Sequence, residues 1–331
     1  MEVNLPLKII GLGRYLPQRV VPSSELEKLC GLPAGWVERR NGVHERRWVT
    51  DETSSYMGAQ AAREALEDAG LRPDQMDLIV NASGTAEQAI PDTGALIQRQ
   101  LGLGDSGIPS MTVHITCLSF IAGMDVAANF LCTGRYKNIL IVSSDISSCG
   151  INPKEPESAS LLGDAAAAVV VTRSQSGEKS QVQRVHMKTY GRGAYLTAIM
   201  GGGSGRHPNR STTRPEDNLF HMDGPAVLRM VREIGDDFLE ELYPGLSRGL
   251  VDIDAVVPHQ ASKVGLLMLT HFGWPQEKIM HTLEWLGNCV AASIPITFYD
   301  AVRGDRIHRG DKVLMAGTGA GLYIGGLVFT Y

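Results

Sequence analysis

Apolar and polar positions along the chain follow two rhythms. Short apolar runs bounded by Gly, Pro, Asn or Asp occur at "LKIIGLGRYLP", "DLIVNASG", "NILIVSSDI" and "AAAAVVVT". Their length and boundaries predict buried strands. Between them lie longer stretches of a different kind. "TSSYMGAQAAREALEDAG" is Ala-rich, starts on hydroxyls and stops on glycine, which predicts a helix. "FIAGMDVAANFLCTG" predicts a second helix whose small residues allow close packing. Strands alternating with helices predict an α/β fold.

The order then replays. "DLIVNASG" at 77–84 resembles "DAVVPHQAS" at 254–262. "CLSFIAGMDVAANFL", beginning at Cys117, is matched by "NCVAASIPITFYDAV", beginning at Asn288. "GRYKNILIVSSDI" at 134–146 resembles "RGDKVLMAGTGAG" at 309–321. The period is about half the chain, so this is an internal duplication and not a solenoid repeat. Two halves, 1–172 and 173–331, are expected, with buried strands at their ends sharing one core. Related halves place corresponding strand ends on facing sides of a pseudo-twofold axis. Cys117 and Asn288, opening equivalent helices, and His259, following a strand, are then expected to converge in a crevice at the strands' carboxyl ends.

Composition narrows the classes. The 331 residues suffice for one large domain or two fused ones. A hydrophobic content of 43% and a charged content of 20% are ordinary for a soluble protein. The net charge of −5 argues against a nucleic-acid partner, although a local basic patch stays open. The 37 glycines predict frequent tight turns. The five cysteines, at 30, 117, 132, 149 and 289, form no CxxC pair and no zinc pattern. That fits thiols kept reduced in the cytoplasm. "MEVNLPLKII" lacks a secretory h-region, and no apolar run is long enough to span a membrane. A soluble cytoplasmic protein is expected.

A lone cysteine is by default a small buried hydrophobe. Its setting changes that for Cys117. The Cys-led helix occurs together with "LLGDAAAA" at 161–168, "VVPHQAS" at 256–262, "LGNCVAASIP" at 286–295 and "GTGAGLYIGG" at 317–326. This combination, over essentially the whole chain, resembles condensing enzymes of the β-ketoacyl-acyl carrier protein synthase III type. "GGGSGRHP" at 201–208 fits a glycine-rich loop of that family and lacks the GK[ST] ending of a phosphate loop. The resemblance implies a thiolase fold with five αβαβα layers, and a triad of Cys117, His259 and Asn288. Cys117 would be the acyl-carrying nucleophile, its pKa lowered by the helix N-terminus. His259 and Asn288 would donate to the second thioester's carbonyl, and the N–H groups of Cys117 and Ala320 would form the oxyanion hole. Read alone, His259 could be a satisfied core histidine and Asn288 a helix cap. The substrates implied are thioesters of coenzyme A or acyl carrier protein, handled by a homodimer without metal or cofactor. Cys289 is expected to be structural. His114 is expected to be a packing residue or a polar group of the dimer interface.

Several positions depart from the family pattern. Trp36 and Arg40 keep the places that contact the nucleotide of coenzyme A. Val264, next to Lys263, takes the place of an Arg on the carrier-docking face, and "GLLMLTHFG" after it has no Lys or Arg. Fewer basic residues steer an acidic carrier less. Thr318 and Ala320 stand where Phe and Gly are common. Ile90, on the loop that the family sends into the partner subunit's acyl pocket, replaces a frequent Phe. Glu87 on that loop is either a solvated charge or a base for non-decarboxylating condensation. Together these positions point to a specialised-metabolite member over a housekeeping fatty-acid initiator. An acyltransferase to alcohol or amine usually replaces the Asn, and a non-catalytic partner chain usually loses the Cys. Asn288 and Cys117 argue against both.

Overall fold

The structure is a computed structural model that describes residues 3–331, apart from the side chain of His271. One five-stranded sheet has the order Lys8–Tyr15, Ala165–Thr172, Asn138–Asp145, Leu78–Asn81, Ser110–Thr112. A four-stranded sheet has the order Gln181–Thr189, Tyr323–Thr330, Lys312–Gly319, Ala255–Pro258. Taken in these orders, the first three pairings of each sheet run antiparallel, antiparallel and parallel. The strand Ser110–Thr112 extends only the first sheet.

Side chains alternate across each strand, and in these two sheets both faces are covered. In the strand Ala165–Thr172, Val169 and Val171 face the central core, while Ala166, Ala168 and Val170 join a second cluster. The central core lies between the sheets and contains the helices Ser119–Cys132 and Ser293–Arg303, through Phe120, Ile121, Met124, Ile294 and Phe298. The helix Ser54–Ala69 covers the outer face of the first sheet. Gly224–Leu242 covers that of the second, through Ile234, Phe238, Leu239 and Leu242. The result is five layers, αβαβα, as the resemblance implies.

Local chemistry fixes the element ends. The Thr53 hydroxyl accepts the Tyr56 N–H, and Gly70 ends the helix Ser54–Ala69 at φ 66°. Arg46, in the strand Glu45–Trp48, is fully buried and donates to the carbonyls of Val21 and Ser160 and to the Ser23 hydroxyl. Among the described residues, no helix is long and apolar enough to cross a membrane.

Candidate active site

Cys117 lies in the one-turn 3-10 segment Thr116–Leu118, which runs into the helix Ser119–Cys132. Thr116 adopts φ 46°, a conformation that disfavours side chains. The Ser119 hydroxyl holds the turn by accepting the Ile115 N–H at 2.9 Å and donating to the Thr116 carbonyl at 2.7 Å. The Thr116 hydroxyl donates to the Ala320 carbonyl at 3.0 Å, joining the turn to the end of the strand Lys312–Gly319. That strand end passes close by. A Cβ on Gly319 would lie 2.7 Å from the Thr116 Oγ1 and 3.5 Å from the Cys117 nitrogen.

Burial pushes the Cys117 thiol up to about 12, and the nearby Asp145 carboxylate adds to the rise. The N–H groups of Ala320 and of Cys117 itself favour the thiolate but do not overcome this. The residue keeps some exposed surface, yet its sulfur lies deep among protein atoms. This corrects the expectation of a lowered thiol. The helix-end effect is typically worth under about 1–2 kcal/mol, which desolvation of a thiolate exceeds.

His259 follows the strand Ala255–Pro258 and donates its N–H to the Ala316 carbonyl at 2.9 Å. Gly317 lets it pack there, since a Cβ on that glycine would lie 2.5 Å from the His259 Cβ. His259 is 6% exposed, and its Nδ1 has no hydrogen-bond partner among the described residues. Burial lowers its pKa to about 4, so the imidazole is neutral at pH 7. Ala316 to Gly319 thus form a common wall, with His259 at one end and Cys117 at the other.

Asn288 is held by the "LLGDAAAA" segment. Its N–H donates to the Leu161 carbonyl at 2.7 Å, and its carbonyl accepts the Gly163 N–H at 3.0 Å. Its Oδ1 accepts the Val290 N–H at 2.9 Å. With that oxygen engaged by the Val290 N–H, the amide's donors are the Nδ2 hydrogens. Gly84 sits between the two segments. A Cβ there would lie 2.5 Å from the Val290 Cγ1 and 3.1 Å from the Thr116 carbonyl oxygen.

Residues the sequence did not single out hold this arrangement. Asp145 is fully buried. Its Oδ1 accepts from the N–H groups of Gly84 and Thr85 and the Thr85 hydroxyl at 2.7–2.9 Å, and its Oδ2 from the Ala292 N–H at 3.0 Å. Desolvation raises the Asp145 carboxyl to about 6, against these donors. Buried Gln260 accepts the N–H groups of Thr282 and Leu283 and donates to the Pro258 carbonyl, tying the His259 segment to the one that leads to Asn288. Asp164 takes the N–H groups of Val49, Ser147 and Ser148.

The other candidates lie apart. Arg40 lines the mouth of a cavity of about 360 Å³ that reaches His259 but neither Cys117 nor Asn288. Its guanidinium is engaged by Glu157, at 2.6 and 2.9 Å. Trp36 does not line that cavity and packs instead on the cluster around Val37 and Leu161. The Glu87 carboxylate accepts the Ser55 N–H at 2.6 Å, anchoring the start of the helix Ser54–Ala69. Ile90 is 85% exposed. Lys263 and Val264 are exposed on the helix Lys263–Leu269. The Cys289 sulfur is buried beside the Leu286 carbonyl, and burial raises its thiol well above the ordinary value. His114 is exposed, with Nδ1 3.2 Å from the Ser83 carbonyl. Among the described residues no group of three His, Cys, Asp or Glu could hold a metal ion.

The backbone also corrects the register between the halves. Val290 adopts φ 52°, as Thr116 adopts 46°, and the Ser293 hydroxyl accepts the Cys289 N–H as Ser119 accepts that of Ile115. Cys117 therefore corresponds to Ala291, and Asn288 to His114, three residues away from the pairing of Cys117 with Asn288.

Known proteins match this chain in sequence and fold. A family model for 3-oxoacyl-[acyl-carrier-protein] synthase III matches residues 111–191, and one for its C-terminal part matches 248–331. β-Ketoacyl-[acyl-carrier-protein] synthase III of Aquifex aeolicus is 31% identical over 98% of this chain and 99% of its own. Its crystal structure superposes with a TM-score of 0.86, covering 98% of this chain and 100% of that one. β-Ketoacyl-[acyl-carrier-protein] synthase III 1 of Bacillus cereus is 34% identical over 98% of both chains. Acetoacetyl CoA synthase NphT7 of a Streptomyces species is 32% identical over 96% of this chain and 97% of its own. With this identity over nearly its full length and the five-layer thiolase fold, the chain belongs to the β-ketoacyl-[acyl-carrier-protein] synthase III family of condensing acyltransferases.

Proposed function

We propose that the protein joins two acyl thioesters by Claisen condensation through an acyl-Cys117 intermediate. The observation that carries this is the Cys117 sulfur at a helix start, with the N–H groups of Cys117 and Ala320 directed at it, on the same strand-end wall as a neutral His259. The sulfur attacks the first thioester's carbonyl carbon. Oxygen charge that develops in that step is met by the same two N–H groups. The departing carrier thiolate takes up the proton that the Cys117 thiol releases. The acyl-enzyme then meets a second thioester, whose enolate His259 and the Nδ2 of Asn288 stabilise by donating to its oxygen. A neutral imidazole suits this role, because it is a donor without carrying a buried charge.

The substrates are thioesters of coenzyme A or of acyl carrier protein. Val264 and Leu267, 46% and 54% exposed on the helix Lys263–Leu269, present an apolar face where basic residues would steer an acidic carrier. The fork of Arg40 on Glu157 leaves the cation partly neutralised. The apolar face of the helix Lys263–Leu269 favours a specialised member using coenzyme A thioesters over a housekeeping initiator. The protein works as a homodimer in which Ile90 enters the partner's acyl channel. The test is incubation with acyl-CoA of increasing length, with and without malonyl-CoA, read by intact mass and product analysis. An acyl adduct that resolves into a β-keto product is expected. An adduct passed to an alcohol or amine with no new C–C bond would overturn the condensing reaction.

A further inference from the structure

The cavity beside His259 has two unlike ends. Its mouth is polar, with Arg40, Asn41, Glu157, Ser262 and Lys263. Its far end, between the helices Gly224–Leu242 and Lys263–Leu269, is lined by Val231, Phe238, Leu239, Met268, Phe272 and Trp274. A volume of about 360 Å³ lies in the range of small-molecule sites.

Two features suggest space kept for a ligand. The helix Lys263–Leu269 has the sequence KVGLLML, yet none of its residues is buried. It roofs the cavity, and only Leu266 and Leu269 pack, partly buried, against the neighbouring apolar clusters. Each helix also places a glycine on the cavity. A Cβ on Gly235 would meet nothing closer than the Phe272 ring at 3.9 Å, and one on Gly265 nothing closer than the Ser262 Oγ at 3.5 Å. Neither has a left-handed backbone. Glycine inside a helix is less stable than alanine. Neither crowding nor conformation requires it here, and what it provides is open volume.

The position of His259 identifies the occupant, on the reading that this residue donates to the second thioester's carbonyl. Two groups flank that carbonyl, the sulfur with its carrier arm and the α-carbon. The arm is polar and leads to the polar mouth. The α-carbon's substituent then faces the apolar end. The acyl chain on Cys117 is a poor candidate, since Cys117 does not line the cavity. We propose that the far lobe binds an alkyl chain on the α-carbon of the second thioester, so that the protein makes α-alkyl-β-keto thioesters. With an alkylmalonyl thioester, the free carboxylate leaves as CO2. The electron pair left on the α-carbon forms the C–C bond to the acyl carbon, the bond from that carbon to the Cys117 sulfur breaks, and the thiolate takes a proton from water.

The test is calorimetric binding of malonyl-, ethylmalonyl-, butylmalonyl- and hexylmalonyl-CoA to Cys117→Ala. This protein cannot form the adduct, so the readout does not depend on turnover. Each added methylene should tighten binding by up to about fourfold until the lobe is full. Gly235→Leu or Gly265→Leu, each added to Cys117→Ala, should remove that gain. Gly235→Ala, which suits the helix and leaves most of the space, should keep it. Affinity that stays flat or falls with chain length, or that ignores both leucines, overturns the proposal. Acylation of the unmodified protein is followed separately by mass. Its failure would refute the Cys117 chemistry while the calorimetry still reported on the lobe.

Discussion

The turns Thr116–Leu118 and Val290–Ala292 start two helices of the same central layer. Both begin on a non-glycine residue at positive φ, and both are closed by a serine hydroxyl that accepts an N–H four residues back. Their surroundings then diverge. Near the second turn the strand Asn138–Asp145 ends in a carboxylate, and Asp145 takes the Ala292 N–H. Near the first, the equivalent strand Lys312–Gly319 ends in glycine, which leaves the N–H groups of Cys117 and Ala320 directed at the sulfur. The first turn carries Cys117, and the second carries Ala291. His259 has Ala82 as its counterpart, each donating its N–H to the strand alongside. Duplication supplied one backbone twice. The proposed site lies where side chains on the two copies differ.

The difference can be broken residue by residue. The largest loss is expected when His259 is reduced to the alanine of its counterpart. His259→Ala and Asn288→Ala should each keep acylation of Cys117 and lose condensation by about 10²–10³, the usual worth of one donor to a developing oxyanion. Single-turnover kinetics that separate adduct formation from product formation check this. Normal condensation by either variant contradicts its proposed role.

Gly319→Ala should come next. Its Cβ would crowd the Thr116 Oγ1 at 2.7 Å and the Ile115 carbonyl at 3.3 Å. The turn must shift, which costs about 1–3 kcal/mol of stability and misaligns the N–H pair. Slower acylation and a lower melting temperature are expected.

Asp145→Asn has the smallest expected effect on rate. Its amide cannot accept from Ala292 and from the Gly84–Thr85 loop at once, a loss of about 1–3 kcal/mol in stability. The Cys117 thiol should move down, because a charge that raises it is gone. The pH midpoint of Cys117 alkylation checks this. It should lie well above the ordinary value of about 8.5 in the unmodified protein, and lower in Asp145→Asn. Stability should also change its pH slope. The folded carboxyl titrates near 6, above its ordinary 3.8, so its contribution is full below 3.8 and is lost as pH rises to about 6. The Asn variant lacks that slope.

Much of this fold was legible because its signals are local. Thr53 and Gly70 mark the helix ends, and "AAAAVVVT" is the strand Ala165–Thr172. Cys117, His259 and Asn288 came from motif resemblance. The register between the halves was misread because the two polar residues were aligned, whereas the repeated feature is a strained turn that threonine and valine do not announce. Asp145 could not be found from sequence. It joins segments 60, 61 and 147 residues away. The pairing of Arg40 with Glu157, 117 residues apart, was hidden for the same reason. The thiol's upward shift depends on packing from both halves, which local reading of a helix start does not contain.

The most direct measurement is peptide mapping of the acyl adduct after exposure to an acyl-CoA thioester, in the unmodified protein and in Cys117→Ala. One acyl group on Cys117, none on the other four cysteines, and none in a folded Cys117→Ala is the predicted result. An adduct on Cys289, or one that persists in Cys117→Ala, would contradict the assignment of the nucleophile to the first of the two turns.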